Sequence, residues 1–263
     1  MIQPTYLYYE EIDSTNNECK RRIADGTASD GLVISAGTQT AGRGRSGHGW
    51  TSRPGTSIAT SMVFFPKGIG ADVIPRVTLL ASMAVAEAVE QCSGLSCAIK
   101  WPNDVLLDSR KICGILTEME AERNTPKWVV VGIGVNVHEK NFASDIRDKA
   151  TSIDLALSRQ AEREKTAPRR VHCQEITEQI WKSFAEFYDR FEKAGDLSGV
   201  LDDYNARLIN IGKTVRVLDP LGAYEGLSGG IDREGRLLVE REDGSVQKVD
   251  SGEVSVRGLY GYV

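Results

Sequence analysis

The 263-residue sequence lacks any apolar run long enough to span a bilayer as a helix, which excludes a helical membrane anchor. Its N-terminus, MIQPTYLYYEEIDSTN, lacks the basic-then-apolar order of a secretory signal. The five cysteines (Cys19, Cys92, Cys97, Cys113 and Cys173) are odd in number and scattered, with no CxxC pair. That speaks against a disulfide framework and a zinc site, and for reduced thiols in a cytoplasmic protein. Positive charge is short as well. Lys and Arg total 32 against 37 Asp and Glu, a net of −5, so bulk electrostatics do not favour DNA, RNA or an anionic membrane. There is no internal repeat and no low-complexity tract, and the glycine-bearing strand GIGVNV at 132–137 is not GxGxxG, so a Rossmann dinucleotide site is unsupported there.

One absence is local. No Asp or Glu occurs between Asp30 and Asp72, in a chain that is acidic overall. Within that gap lies QTAGRGRSGHGW, residues 39–50, where glycine fills every second or third place from Gly42 to Gly49. Such a backbone reaches positive φ and can approach a ligand closely. With Arg43, Arg45 and then Arg53, it forms a cationic, pliable loop with exposed amides, suited to phosphate or carboxylate. Trp50 at its end offers a flat face for an aromatic base. The plainer reading is a solvated glycine-rich surface loop.

Around this loop the pattern predicts a strand at 5–9, then a helix at 16–24 opened by a capping box of Thr15 and Glu18 and closed by Gly26. Strands are expected at 31–36 and 56–65, and a core helix at 75–92 opened by Pro75. Four further strands follow at 97–101, 105–108, 112–121 and 128–137, the last apolar enough to be central. Residues 145–170 read as a polar surface segment with a short helix at 152–158. Helices are expected at 172–194, with an aromatic core stripe, and at 197–210. After Gly212 five short alternating segments separated by glycine turns predict a small SH3-like β-barrel. The expected class is α+β, a mixed β-sheet with flanking helices at residues 1–211 followed by the barrel at 212–263.

Three clusters sit where a site would need them. In KWPND, residues 100–104, Pro102 fixes the bend from which Asn103 and Asp104 leave the sheet. In RKICGIL, residues 110–116, a cation pair precedes a strand in which Gly114 permits close approach. In GIGVNV, residues 132–137, an apolar strand carries two glycines and then the amide of Asn136.

Together QTAGRGRSGHGW, KWPNDV, RKICGIL and GIGVNV, with DSTN at 13–16 before them, resemble the biotin–protein ligases in order and spacing, over nearly the whole chain. The C-terminal GEVSVRG, 252–258, is similar to that family's small barrel. The resemblance implies ATP-dependent transfer of biotin to a lysine of a biotin carboxyl carrier protein through biotinyl-5′-AMP, with ATP and Mg²⁺ required. It implies a class II synthetase-like catalytic domain, without the winged helix-turn-helix of bifunctional members, hence no DNA-binding role. Ser14, Thr15 and Asn16 would bind the ureido ring. Gln39 and Arg43 would hold the biotin end, with the backbone at Gly42, Gly44 and Gly114. Lys111 would contact the biotin carboxylate and α-phosphate, and Arg45 the phosphate. Trp50 would cover the adenine, and Asn103 and Asn136 would complete the nucleotide site. Asp104 would orient the incoming amine and Lys100 add positive potential. The loop would close as a lid. His48 and Gly49 stand where many relatives carry basic residues, a departure that would weaken retention of the intermediate. Two rivals stay open, a lipoate or octanoate ligase of the same superfamily and a non-catalytic biotin-binding regulator. Edge strands also leave a homodimer open.

Overall fold

The computed structural model of the chain describes residues 1–47, 49–51, 53–219, 222–250 and 255–258. Seven strands, β1 (Thr5–Ile12), β2 (Leu32–Gln39), β3 (Ser57–Phe64), β4 (Ala98–Lys100), β5 (Asp104–Leu107), β6 (Arg110–Glu122) and β7 (Thr125–Asn136), form one sheet. Their order is β1-β2-β3-β7-β6-β5-β4, so β7 is central, as its apolar run predicts. β1 and β2 run parallel, linked through helix α1 (Thr15–Ala24), and the other neighbours are antiparallel.

Alternation along a strand sends successive side chains to opposite faces. One face carries Met62, Phe64, Val129, Val131, Ile133 and Val135, all buried beneath helices α2 (Val77–Ser93) and α4 (Cys173–Ala194). The aromatic stripe of α4 packs there, with Tyr188 edge-on to Phe64 at 5.0 Å between centroids. Burying side chains of this size contributes about 1.5–3 kcal/mol each. The other face has a small apolar cluster under α1, made of Cys19, Leu32, Ile34, Val63 and Val130.

The helix boundaries bring three corrections. The capping box is not formed: Ser14 is the N-cap, without a side-chain bond, and Thr15 already lies inside α1. Glu18 is held instead by Tyr9 Oη at 2.8 Å and by Arg21 and Arg22 at 2.8 and 3.0 Å, partners stronger than a backbone amide. The segment from residue 145 is not all surface, because Thr151, Ser152 and Ile153 are fully buried and helix α3 (Ile153–Glu164), capped by Ser152, runs well past 158. The helix expected at 197–210 is broken into a 3₁₀ turn, Leu197–Gly199, and α5 (Leu201–Arg207), since Gly199 and a non-helical Val200 interrupt it.

All five C-terminal segments are strands: β8 (Thr214–Leu218), β9 (Tyr224–Ile231), β10 (Leu237–Glu240), β11 (Val246–Val249) and β12 (Ser255–Gly258). They form an antiparallel sheet in the order β11-β10-β9-β8-β12. A ladder joining β11 to β12, which would close it into a barrel, is not among the pairings of the described residues, and residues 252–254 of GEVSVRG lie outside them. Val215, Val217, Ile231, Leu237, Val239 and Val249 belong to the same core cluster as α2 and α4. The small sheet is further tied by Trp101 Nε1 donating to Gly235 O at 3.0 Å and Arg76 Nε to Glu234 O at 2.9 Å.

Candidate active site

The sheet register builds the site. On the face opposite α2 and α4, strand pairing sets Lys100, Asp104, Gly114, Gly134, Ala59 and Ala36 in one row across six strands. The next row contains Leu116, Gly132, Ser61 and Ile34. Small residues in the middle of both rows leave the sheet bare there. A Cβ on Gly132 would overlap the Asn16 amide, and one on Gly134 would overlap the Trp50 indole. The glycines of GIGVNV are therefore required by what lies on them.

One end of this trough is polar and largely neutral. Ser14, Thr15 and Asn16, at the start of α1, are 2%, 3% and 4% exposed, too buried to be a mere helix cap. Thr15 N donates to Gln39 Oε1 at 2.8 Å, and Thr15 Oγ1 lies 3.1 Å from the same oxygen. Ser61 Oγ lies 2.7 Å from Thr15 Oγ1 and 2.6 Å from Asn16 Oδ1. Asn16 Nδ2 donates to Glu118 Oε2 at 2.8 Å, and the other oxygen of Glu118 pairs with Lys20 at 3.1 Å and Arg43 at 3.0 Å. Burial pushes the Glu118 pKa upward, but the Asn16 and Lys20 hydrogen bonds and the two cations outweigh it, and the net shift is downward.

The other end is charged. Lys111 Nζ lies 2.6 Å from Asp104 Oδ1, which joins two motifs that are distinct in the sequence. Arg45 approaches the same carboxylate; burial lowers its pKa and the Asp104 charge opposes that shift. Lys100 is 8% exposed at the end of the row. Asn103 Nδ2 donates to Ile115 O at 3.3 Å, after a cis Trp101–Pro102 bond. Beyond the end of the β5–β6 ladder a cleft opens, lined by Arg45, Pro102, Asn103, Thr78 and Leu116. Asn136 is buried past Gly134, and its Nδ2 donates to Thr151 O at 3.3 Å, turning Oδ1 the other way.

The glycine loop lies across the trough. Arg43 bridges to Gly49, Trp50 N donates to Gly42 O at 2.9 Å, and Arg43 and Arg45 flank Gly44. Gly42 is forced by closeness, since a Cβ there would overlap the Trp50 carbonyl. The Trp50 ring rests on Gly114 and Gly134, and its Nε1 is buried without a hydrogen-bond partner among the described residues. Ser57 Oγ, on the same sheet face, is likewise buried and unpartnered. Two orphaned polar atoms beside the trough are what a polar ligand would satisfy. His48 lies outside the described residues.

The described residues of the DSTN, glycine-loop, KWPND, RKICGIL and GIGVNV motifs that were assigned to the site thus come to one face of the sheet or its rim. Sequence reasoning missed Ser61 and Glu118. Their signal was there: small residues alternate at 57, 59 and 61 of a strand whose other positions, Thr60 apart, are apolar, and Glu118 is a charge within β6.

This fold and trough belong to a known class of ligase. Residues 8–136 match the Biotin/lipoate A/B protein ligase family, and residues 211–257 match the Biotin protein ligase C terminal domain. The chain is 31% identical over 257 residues to the bifunctional ligase/repressor BirA of Bacillus subtilis, covering 97% of this chain and 75% of that protein. It is 31% identical over 252 residues to the biotin–[acetyl-CoA-carboxylase] ligase of Paracoccus denitrificans, covering 94% and 98%. The biotin protein ligase from Aquifex aeolicus in complex with biotin and ATP superposes with a TM-score of 0.77 at 25% identity, covering 97% of this chain and 99% of that one. The chain belongs to the biotin protein ligase family.

Proposed function

We propose that this protein uses ATP to join biotin to a lysine of a biotin carboxyl carrier protein, through biotinyl-5′-AMP. The observation that carries this reading is one continuous trough with two ends of different chemistry. A neutral pocket of fixed hydrogen-bonding groups lies on the same sheet face as Lys111, Arg45 and Asp104. The first suits a ureido ring. The second suits two anions brought together.

In the first step a carboxylate oxygen of biotin attacks the α-phosphorus of ATP and pyrophosphate leaves. Lys111 neutralises the approaching carboxylate and phosphate, and Arg45 holds the phosphate; preorganised charge of this kind is the main catalytic device available. Ser14, Thr15 and Asn16 take the ureido ring, Gln39 and Arg43 the biotin end, and the backbone at Gly42, Gly44 and Gly114 lets the chain lie close. Trp50, Asn103 and Asn136 serve the nucleotide. Mg²⁺ bound with the nucleotide would screen the triphosphate charge; the hard carbonyl oxygen of Asn136, left by the bond of its Nδ2 to Thr151, suits that ion. In the second step the carrier lysine amine attacks the acyl carbon, AMP leaves with the bonding electrons, and Asp104 accepts the amine proton. Lys100 raises the positive potential there. The glycine loop acts as a lid that keeps water from the mixed anhydride. Residues 1–211 and 212–263 serve as catalytic and C-terminal domains sharing one core.

A lipoate or octanoate ligase is disfavoured, because a dithiolane or alkyl chain would leave the buried polar groups of the neutral pocket unpaired, at about 1–3 kcal/mol each. The test is ATP–pyrophosphate exchange with biotin, lipoate or octanoate as the acid. Exchange that requires biotin and Mg²⁺ is expected. Exchange driven by lipoate would move the protein to the sister activity. Failure with every acid, in a folded sample that still binds biotin, would favour a non-catalytic regulator.

A further inference from the structure

Ser61 and Glu118 are both off the motifs, yet they close the neutral pocket from beneath and from the side. Their geometry fixes which way each proton points. A carboxylate can only accept, so the Asn16 atom 2.8 Å from Glu118 Oε2 is the amide nitrogen. The carbonyl arm of Asn16 then faces Ser61 Oγ at 2.6 Å and can itself only accept. Ser61 has one hydroxyl proton, and it goes there. The 2.7 Å contact between Ser61 Oγ and Thr15 Oγ1 therefore needs the proton of Thr15. Gln39 Oε1, the other taker for that proton, is farther at 3.1 Å and already receives the Thr15 backbone N–H at 2.8 Å. The chain runs in one direction, from Thr15 through Ser61 and Asn16 to the carboxylate.

We propose that Ser61 and Glu118 are positioning residues that set the donor–acceptor polarity of the biotin pocket, leaving the Thr15 hydroxyl oxygen as an acceptor for a ligand N–H. The inference rests on the biotin ligase reading, since a ureido ring supplies such an N–H. Ser61 is 0% exposed and does not reach the trough itself, and Asn16 sits between Glu118 and the rest of the chain, so both act through others. The charge on Glu118 is guarded by Lys20 and Arg43. Neutralising it in Glu118→Gln allows the Asn16 amide to turn over, which reverses the whole relay and returns a proton to Thr15. Removing the middle link in Ser61→Ala leaves the Thr15 proton to Gln39 Oε1, which is 3.1 Å away and already receives the Thr15 N–H, so an acceptor on the ligand can compete for it.

The experiment compares calorimetric binding of biotin with that of the two cyclic carbamate analogues in which one or the other ureido N–H is replaced by a ring oxygen. Full-length wild type, Ser61→Ala and Glu118→Gln are measured. Wild type is expected to prefer biotin strongly over at least one analogue, since its site would set an acceptor against that ring oxygen. In both variants the preference should contract by about tenfold or more, because Thr15 can now donate to the ring oxygen. A variant that merely loosens the pocket weakens all three ligands alike and leaves the ratio at the wild-type value; that result overturns the proposal. Should Ser61→Ala fail to fold, the Glu118→Gln ratio decides alone. Wild type that binds biotin with an unchanged ratio in the variants removes only this inference. Wild type that binds no biotin removes the functional reading and this inference with it.

Discussion

The two faces of the central sheet are made by the same strands in the same register, yet they are built for opposite purposes. In β7, Val129, Val131, Ile133 and Val135 point under α2 and α4, while the alternate positions read Val130, Gly132, Gly134 and Asn136. In β3, Met62 and Phe64 face the core, while Ser57, Ala59 and Ser61 face the trough. One face is filled to bury area; the other is emptied so that something else can lie on it. A period of two lets a single strand satisfy both demands, and a one-residue slip in register would exchange them.

That contrast predicts a separation of phenotypes between neighbouring residues. Ile133→Ala, on the packed face, should cost about 2–5 kcal/mol of stability through lost burial and a cavity, read as a lower denaturation midpoint. The folded fraction should keep its rate of adenylate formation. A variant as stable as wild type would mean that this face is not tightly packed. On the open face the loss should fall on chemistry. Lys111→Ala should slow single-turnover biotinyl-AMP formation by about 10²–10³, as removal of a preorganised charge does, and leave the melting temperature close to wild type. Adenylate formed at the normal rate would take Lys111 out of the mechanism.

Gly134→Ala is the sharper test of the comparison, because it adds only one methyl group beside Ile133. The added Cβ meets the Trp50 ring, so about 1–3 kcal/mol of overpacking should appear as weaker biotin-dependent pyrophosphate exchange. Exchange at the wild-type level would show that Trp50 yields the space freely. Arg45→Gly should be milder still, raising the dissociation rate of biotinyl-AMP by about tenfold through loss of one charge-assisted contact. Filtration after one turnover measures the released intermediate, and an unchanged rate would show that Arg45 does not hold it.

The smallest effect concerns pH. Glu118 has its folded pKa held below the unfolded value of 4.5, so its stabilisation is fully present above 4.5 and is lost as pH falls through the lower folded value. Wild type should therefore melt above Glu118→Gln at neutral pH, and the gap should close on acidification below 4.5. A gap that persists in acid would assign it to shape and not to charge.

Much of this was legible from the chain alone. Glycines, a proline turn and cations in fixed order marked the loop, KWPND and RKICGIL, and the apolar run of β7 marked the centre of the sheet. What was hidden depends on three-dimensional neighbours. Thr15 and Glu18 satisfy the local rule for a capping box, but Thr15 is turned toward Gln39 and Ser61 across the sheet and Glu18 toward Tyr9 and two arginines. The pairing of Asp104 with Lys111 follows from the β5–β6 ladder, not from sequence spacing. Ser61 gave only a faint signal, because a serine between Thr60 and Met62 reads as an ordinary strand position.

The core that runs without a break from α2 and α4 into the small C-terminal sheet has a consequence for taking the molecule apart. Six of its apolar side chains come from beyond residue 212, and Trp101, the second residue of KWPND, donates to Gly235 on the far side of that junction. Cleaving the chain near Gly212 would give two pieces that each expose one side of the contact between the main core and the small sheet. Neither would be a self-sufficient unit, but each would carry the complement the other lacks. The molecule is therefore suited to fragment complementation, in which labelling activity returns only when the two pieces are brought together.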